Sequence, residues 1–594
     1  MSYRLPSLAQ PQAKSYTTAM SKKKPISKLK IVGLALAIGL FLLLSVGRGL
    51  IASLFETHYA RTRARHLEAV RERIAKQDRQ IAERIRGKVA AHEVVANPTD
   101  IGGQGDIRFD APVFYPGVNE PMPEPTTRIV LLPETANDRT GHDDAVRINQ
   151  AIAQVTAPAE ITLRAGVYII QSPIILKSGV VLRGEGMRKT VLFSLNGENC
   201  IALRGDATEI ETEVQSGADR NSDVLTVADA SAFKAGDMVR VYAKVPAYVL
   251  HWGQVGNVAE VTDEHTLRLD KALRLTCHGG YPVYVRVFRP IRSAGIESLT
   301  LETSAPAPDK RGNMHGVQID RAVNCWVRGC EFSHSRTSHI WVADSRFVTV
   351  EGNYFHHGWG YRKNQGYGIC LADYATDCLV ADNAYDTLRH AMIAKTGANG
   401  NVFAYNYSVG NNPQGNKDDS CDLSIHGLYA HSNLVEGNVI QFAQSSDYFG
   451  SAGPLITFFR NRVEGLGILI TYSSHFPVIV GNDFVRGGIY VELRTVGLAI
   501  EGNKLRGRDI PSKIIYDGYQ CPQYDAREYP NGRPKLRASL FLDDPPEFLK
   551  DTPWPPFGPD VTGESVLPAE KRHREIYSTW SKTAVLEKTG TVPR

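Results

Sequence analysis

The segment NLVEGNVIQF, residues 433–442, sets an Asn between two short apolar runs, and this arrangement recurs along the second half of the chain. The triplet EGN also stands at 351–353 and 501–503, while VGN, ADN, FRN and AYN replace it in four other repeats. Successive anchors lie 21 to 32 residues apart, and they are Cys330, Asn353, Asn383, Asn406, Asn438, Asn461, Asn482 and Asn503. A period of about two dozen residues, lengthened at two steps by inserts, predicts a solenoid with one coil per repeat.

Two positions beside each Asn are mostly apolar. The residues three places before the Asn are Val350, Val380, Phe403, Val435, Phe458, Ile479 and Ile500. The residues two places after it are Phe355, Tyr385, Ser408, Ile440, Val463, Phe484 and Leu505. Because alternate side chains of a strand share one face, each repeat sends one side chain inward, turns at Asn and sends a second inward. The sequence therefore predicts an all-β fold, a right-handed parallel β-helix whose stacked Asn side chains form a ladder.

Two further stretches resemble a known family. DRTGHDDAVRINQAIAQV, Asp138–Val155, and ITLRAGVYIIQSPIILKSGVVLRGEG, Ile161–Gly186, resemble the opening of pectate-lyase-superfamily β-helix proteins. SLFLDDPPEFLKDTPWPPFGPD, Ser539–Asp560, resembles the C-terminal segment of bacterial members. The resemblance covers about residues 127–560, and it implies a helix led by Asp-Asp that caps the end of a β-helix. It specifies the reaction weakly, because the superfamily includes polysaccharide lyases, hydrolases, epimerases and non-catalytic binding proteins.

The N-terminal end is basic and then strongly apolar. Residues 1–30 contain seven Lys or Arg and no acid, and in residues 31–55 Arg48 is the one charged residue. That run can cross a hydrocarbon core of about 30 Å. Thirty residues precede it and no A-x-A cleavage site follows, so an uncleaved anchor is favoured over a signal peptide. The prediction is a single-pass protein of the cell inner membrane, with its body in the periplasm or outside the cell.

Residues 56–93 show apolar residues at helical spacing in a charged background. Two interpretations stay open, a solvated stalk and a coiled-coil seam that would make a homo-oligomer. The body at 94–594 is net acidic, which gives no footprint for nucleic acid. Eight cysteines include no CxxC pair, and Cys421 and Cys521 are the better candidates if an oxidising compartment pairs any of them.

The repeat pattern is interrupted at about 206–288 by alternating polar and apolar segments, which predict a small β-rich insert. The insert is either a decoration or a wall of a substrate groove. The domain organisation is a basic cytoplasmic tail at 1–30, a transmembrane anchor at 31–55, a helical stalk at 56–96, a linker at 97–126, a parallel β-helix at 127–506 and a Pro-rich C-terminal cap and tail at 507–594.

Four strands that precede Asn-bearing strands share one pattern: HIWVAD (339–344), GICLAD (368–373), HAMIAK (390–395) and DLSIHG (422–427). Alternation puts Ile340 and Val342, Ile369 and Leu371, Ala391 and Ile393, and Leu423 and Ile425 inward. His339, His390, Asp422, Ser424 and His426 then form an outward polar row. Two lengthened repeats, 354–368 and 408–422, supply loops beside this row, where a solenoid commonly builds a site.

Candidate residues follow from the chemistry of uronic acid polymers. A lyase needs a base and a cation that holds the carboxylate, whereas a hydrolase needs clustered carboxylates. The predicted catalytic residues are Arg389, His390, Lys395, Asp422, His426 and Asp447. The predicted substrate-binding residues are His339, His356, His357, Trp359, Tyr361 and Tyr448. Asp418, Asp419 and Asp422 are a candidate metal set, and calcium is the cofactor that they would suit.

Two function classes remain open. One is a membrane-anchored carbohydrate-active enzyme that acts on a polysaccharide by β-elimination or by hydrolysis of the glycosidic bond. The other is a non-catalytic β-helix that binds or guides an exopolysaccharide during export. The sequence contains neither an ordered hydrolase set nor a lyase-type run typical of the family, so it leaves the bond and the sugar undecided.

Overall fold

The computed structural model describes residues 114, 116–134, 142–195, 199–245, 251–277, 281–305, 314–411, 420–447, 449–471, 474–475, 477–491, 495, 499–505 and 536–576. The predicted tail, anchor and stalk lie outside these residues. Among the residues that it does describe, no helix is both long and apolar enough to cross a membrane.

Parallel strands form three faces of a β-helix, and strands are numbered here in chain order. Sheet 1 is twelve-stranded and consists of β1 (Thr127–Leu131), β2 (Ala159–Leu163), β5 (Val180–Arg183), β15 (Gly295–Glu297), β19 (Trp326–Arg328), β22 (Thr349–Glu351), β25 (Leu379–Ala381), β28 (Val402–Ala404), β31 (Leu434–Glu436), β33 (Thr457–Phe459), β35 (Val478–Val480) and β38 (Ala499–Glu501). Its strands pair in that order and in parallel, so the predicted β-helix is confirmed.

In each Asn-containing repeat, the strand of sheet 2 comes directly after the Asn. Its strands are β3 (Gly166–Ile170), β6 (Thr190–Ser194), β16 (Thr300–Thr303), β20 (Glu331–Ser335), β23 (Tyr354–Gly358), β26 (Ala384–Asp386), β29 (Tyr407–Val409), β32 (Val439–Ser445), β34 (Arg462–Ile470), β36 (Asp483–Phe484) and β39 (Lys504–Leu505). Sheet 3 contains β4 (Ile174–Ile175), β7 (Ile201–Arg204), β17 (His315–Asp320), β21 (Ser338–Ala343), β24 (Tyr367–Ala372), β27 (His390–Lys395), β30 (Cys421–His426) and β37 (Gly488–Val491). Strands β32 and β34 bend and pair in both sheets.

The repeated spacing of the apolar residues places them in one stacked core. Val350, Val380 and Phe403 are successive register partners in sheet 1, and the column continues through Val435, Phe458, Ile479 and Ile500. In sheet 2 the rings of Phe355 and Tyr385 stack at 5.0 Å. Because every coil adds to one continuous core, each repeat depends on its neighbours for burial.

The Asn ladder is present as predicted. Asn438 Nδ2 donates to Asn461 Oδ1 at 2.9 Å and to the Phe403 carbonyl at 2.9 Å. Its own Oδ1 accepts from the backbone N and Nδ2 of Asn406, each at 2.9 Å. The same pairing links the seven anchors from Asn353 to Asn503, and Asn438 is fully buried.

We expect Asn438→Ala to lower the free energy of unfolding by about 1–3 kcal/mol, because it strands buried donors and acceptors on both neighbouring coils. Urea unfolding of the whole chain measures this change. Asn119→Ala, at an exposed position, is the matched control and should change stability little. Equal stability of the two variants would mean that the ladder is incidental to folding.

The interruption folds as a closed antiparallel barrel of six strands. These are β8 (Asp206–Ser216), β9 (Val224–Val227), β10 (Met238–Ala243), β11 (Gly253–Asp263), β12 (Thr266–Leu269) and β13 (Val283–Arg289). A short parallel pair, β14 (Ile291–Arg292) and β18 (Ala322–Val323), returns the chain to the solenoid. The barrel packs on the turns that follow sheet 3, where Trp252 contacts Tyr429 and Arg240 binds Asp344.

Helical segments close the structure. Helix α1 (Asp144–Gln154) begins at Asp143, whose carboxylate accepts from the backbone N of Ala145, and its apolar side packs on the first coils. Near the C-terminus, a 3-10 helix (Glu547–Leu549) lies in a segment that packs on sheet 1, and residues 568–576 are helical. Buried Arg460 ties this segment down through the carbonyls of Leu536, Arg537 and Phe557.

Candidate active site

The inward and outward side chains predicted on sheet 3 require correction at three residues, Ile393, His339 and Asp422. In β27 the partners of Ile369 and Leu371 are Met392 and Ala394, so the prediction that Ile393 points inward is wrong. Ala391 does lie in the core as predicted, because it stands at the corner where the chain enters β27, and alternation starts anew at Met392. Ile393 instead lies in the outer cluster with Trp341 and Cys370.

His339 also does not point outward. It is 1% exposed and packs between the rings of Phe332 and Phe355, with Nε2 3.0 Å from the carbonyl oxygen of His357. This residue stands where the backbone bends from sheet 2 into sheet 3, and there simple alternation fails. Burial lowers the pKa of the His339 imidazole, so it is neutral inside the corner.

Asp422 occupies the equivalent corner three coils later and is fully buried. Its carboxylate accepts from Ser408 Oγ and Asn411 Nδ2, and from the backbone N of Gln441 and of Phe442. Burial raises its pKa to about 6 in spite of these hydrogen bonds. Asp422 therefore ties a corner of the solenoid together and does not meet the other predicted catalytic residues on one open surface.

Arg389 and His390 lie near the predicted row but are covered. They are 7% and 4% exposed, and Arg389 Nη1 donates to the Tyr367 hydroxyl at 2.9 Å. His390 Nδ1 lies 3.3 Å from the sulfur of Cys421. Burial, aided by the charge of Arg389, lowers the pKa of His390 well below its usual value.

Lys395, His426 and Asp447 do come together. Lys395 and His426 are register partners at the ends of β27 and β30, and His426 Nδ1 lies 2.8 Å from Asp447 Oδ2. The imidazole stacks on Phe449 at 5.1 Å, and the Lys395 ammonium lies 4.9 Å from the Trp341 ring centre. This group, called the dyad site below, joins a His–Asp pair to a cation and two aromatic rings at the edge of sheet 3.

Three carboxylates extend the dyad site along the same edge. Asp320 ends β17, and Asp344 and Asp373 follow β21 and β24 directly. Burial and the charges of Asp344 and Asp373 raise the pKa of Asp320 to about 6, although Arg321 opposes the change. Burial, with the charge of Asp344, also raises the pKa of Asp373. Sequence reasoning missed these residues, although an Asp after each of three aligned strands was a readable signal.

The barrel lies beside this edge of sheet 3. Arg240 Nη1 donates to both oxygens of Asp344, at 2.8 and 3.0 Å, and His251 Nδ1 lies 2.9 Å from the Tyr374 hydroxyl. The insert therefore lies beside these carboxylates, and both interpretations of it, a decoration and the wall of a substrate groove, stay predictions.

His356 and His357 lie on sheet 2, away from the dyad site. His356 Nε2 is 3.1 Å from Glu331 Oε1, and its Nδ1 is 3.0 Å from Nδ1 of His357. Trp359, 42% exposed, packs on His334 with ring centres 4.8 Å apart, while the Tyr361 hydroxyl accepts from the backbone N of Gly358. His334 belongs to this cluster as well, since its ring contacts those of His356, His357 and Trp359.

Asp418, Asp419 and Tyr448 lie outside the described residues, so the candidate calcium set stays a prediction. In the described ranges, one group brings three potential metal ligands together, Glu134, His142 and Asp144 beside α1. All seven described cysteines, Cys421 included, are buried thiols, and Cys521 falls in the segment left undescribed.

Comparison with known proteins supports the fold. Residues 309–505 match a family model described as a right handed beta helix region. The chain is similar in structure to the tailspike gp61 of Pseudomonas phage phi297, with 13% identity, a TM-score of 0.43, and coverage of 61% of this chain and 68% of that one.

Two other solved structures are similar at lower TM-scores. The gp54 tailspike of Acinetobacter baumannii bacteriophage AP22, in complex with a capsular saccharide, has 13% identity, a TM-score of 0.35, and coverage of 62% and 73%. A glycoside hydrolase has 11% identity, a TM-score of 0.33, and coverage of 64% and 96%. No curated protein matches the sequence.

Proposed function

We propose that this β-helix protein cleaves an acidic polysaccharide at the edge of sheet 3, and that the dyad site carries out β-elimination. The observation behind the proposal is the His426–Asp447 pair beside Lys395, because it joins a base, the group that orients it and a cation. The apolar anchor at 31–55 leads us to propose further that the body is tethered to a membrane and acts outside the cytoplasm.

In this reaction His426 removes the proton on the carbon next to the substrate carboxylate. Asp447, whose Oδ2 lies 2.8 Å from Nδ1, stabilises the imidazolium that forms through its negative charge. Lys395 stabilises the negative charge that builds on the carboxylate as the proton leaves. The electron pair then forms a double bond as the bond from the adjacent carbon to the glycosidic oxygen breaks, and the departing oxygen of the neighbouring sugar takes a proton from water.

Aromatic side chains would hold the polymer. Trp341 and Phe449 flank Lys395 and His426, and sugar rings pack well on such apolar surfaces. The Lys363 ammonium, 5.1 Å from the Phe449 ring centre, adds a second positive charge from the lengthened repeat. This combination suits a chain of carboxylated sugars.

Hydrolysis is the second candidate, and the Asp320–Asp344–Asp373 group favours it. Adjacent carboxylates with raised pKa values allow one to remain protonated as an acid while another acts as a base or nucleophile. A polymer lying along the edge of sheet 3 would meet both groups. These two reactions rank ahead of the non-catalytic guide and of a calcium-dependent role for residues 418–422.

A panel of acidic and neutral polysaccharides tests the proposal. Elimination should produce absorbance from an unsaturated uronate together with new reducing ends, whereas hydrolysis should produce reducing ends alone. Binding of several polymers without cleavage of any would favour the guide. If no polymer of the panel is bound or cleaved, the proposal is contradicted.

A further inference from the structure

A cleft on the outer surface of sheet 1 has no part in the proposed reaction. Residues 116–126 cross the outer surface of sheet 1 and are held there by hydrogen bonds from the backbone N of Val118 to Thr349 Oγ1 and from that of Asn119 to Asn324 Oδ1. Between this segment and the sheet lies a cleft of about 410 Å³. Small-ligand pockets commonly span about 300–1,000 Å³.

Charged side chains cover the floor of the cleft in two columns. Arg183 is fully engaged, since it binds Glu160 at 3.0 Å and Glu297 at 2.7 Å. Trp326 Nε1 donates to Glu297 at 2.6 Å, which fixes the indole at the base. These contacts hold the floor rigid, so a ligand would meet a preformed surface.

Two other guanidinium groups are not engaged in this way. Arg328 lies 5.6 Å from the Trp326 ring centre, and its Nε is buried without a hydrogen-bond partner among the described residues. Arg128 stands at 4.0 Å from Glu160 and is largely exposed. A buried donor without a partner is costly, and a carboxylate is the group that a guanidinium fork binds best.

We infer that this cleft binds an acidic oligosaccharide, with one sugar carboxylate on Arg328, hydroxyl groups on Glu160 and Glu297, and a second acidic sugar toward Arg128, four strands away in sheet 1. The mixed lining fits a ligand that carries carboxylates and many hydroxyl donors. The identity of the ligand rests on the proposed function, whereas the cleft itself does not. A site on sheet 1 would hold the polymer while the dyad site on sheet 3 cleaves it.

Calorimetry with the full chain and trimers of galacturonate, mannuronate, guluronate and glucuronate tests the inference. At least one acidic trimer should bind, and Arg328→Gln should weaken that binding at least tenfold. Arg328→Lys should weaken it less, because it keeps the charge but loses the fork. Arg268→Gln, on the barrel, is the matched control and should leave binding unchanged.

Lys395→Gln separates this inference from the proposed function. If acidic trimers bind and only Lys395→Gln weakens them, the cleft is not a saccharide site and the dyad site stands. If inorganic phosphate or a neutral maltotriose competes as well as the acidic trimer, the cleft has no preference for acidic sugars and the inference is overturned. If none of the trimers binds, both proposals are contradicted.

Discussion

Replacing His426 with Ala should reduce cleavage of the confirmed polysaccharide by about 10²–10⁴-fold, because general-base catalysis contributes that much to proton transfer. The side chain is partly exposed at the edge of sheet 3, so its removal creates no large cavity. The melting temperature should therefore hardly change. Steady-state rates at saturating polymer, measured by uronate absorbance, give the size of the effect.

The neighbours of His426 sharpen this experiment. Asp447→Asn should lower the rate less than His426→Ala does, because the base remains while the imidazolium loses its negative partner. His265→Ala, on the exposed surface of the barrel, is the control and should keep full activity.

One more variant distinguishes the two reactions. Asp373→Asn should abolish activity if hydrolysis by the carboxylate group is the reaction, and it should leave most of it if elimination at His426 is correct. Full activity of both His426→Ala and Asp373→Asn on a confirmed substrate would place the site elsewhere.

Asp377→Ala should destabilise the protein by about 3–5 kcal/mol, the usual result when one member of a buried ion pair is removed. Asp377 is fully buried and pairs with Arg274 from the barrel and with Arg346 at 3.2 Å from the solenoid. Without it, two buried guanidinium groups face each other with less compensation. Burial opposes ionisation of Asp377, but these charges outweigh it and hold its pKa below the usual value.

Chemical unfolding followed by circular dichroism measures the loss. Asp377→Asn keeps the shape without the charge, and it should remain nearly as damaging as Asp377→Ala. Asp223→Ala, at an exposed position of the barrel, serves as the control. A loss below about 1 kcal/mol for Asp377→Ala would show that the barrel is held by its apolar contacts rather than by this network.

The sign of the pH dependence follows from the direction of the Asp377 shift. A carboxyl group with a lowered pKa stabilises the fold above its unfolded value, and that contribution is lost as the pH falls through the folded value. Lowering the pH should therefore reduce the free energy of unfolding of the wild type through protonation of Asp377. The Asp377→Asn variant should lack this contribution.

The sequence by itself determined the solenoid. Each repeat carries the same Asn and the same apolar neighbours, and stacking in register is the one arrangement that buries all of them together. It also indicated the edge of sheet 3, because Lys395 and His426 lie at equivalent places in two aligned strands.

Only the tertiary structure decided which polar side chains reach solvent. His339 and Asp422 stand at corners, where the bend of the backbone overrides strand alternation and turns them inward. The partners of Asp344 and Asp377 come from the barrel, about a hundred residues away in the chain, and no local pattern specifies them. Periodicity encodes contacts between neighbouring coils, whereas docking of an inserted domain depends on surfaces that form only after both parts have folded.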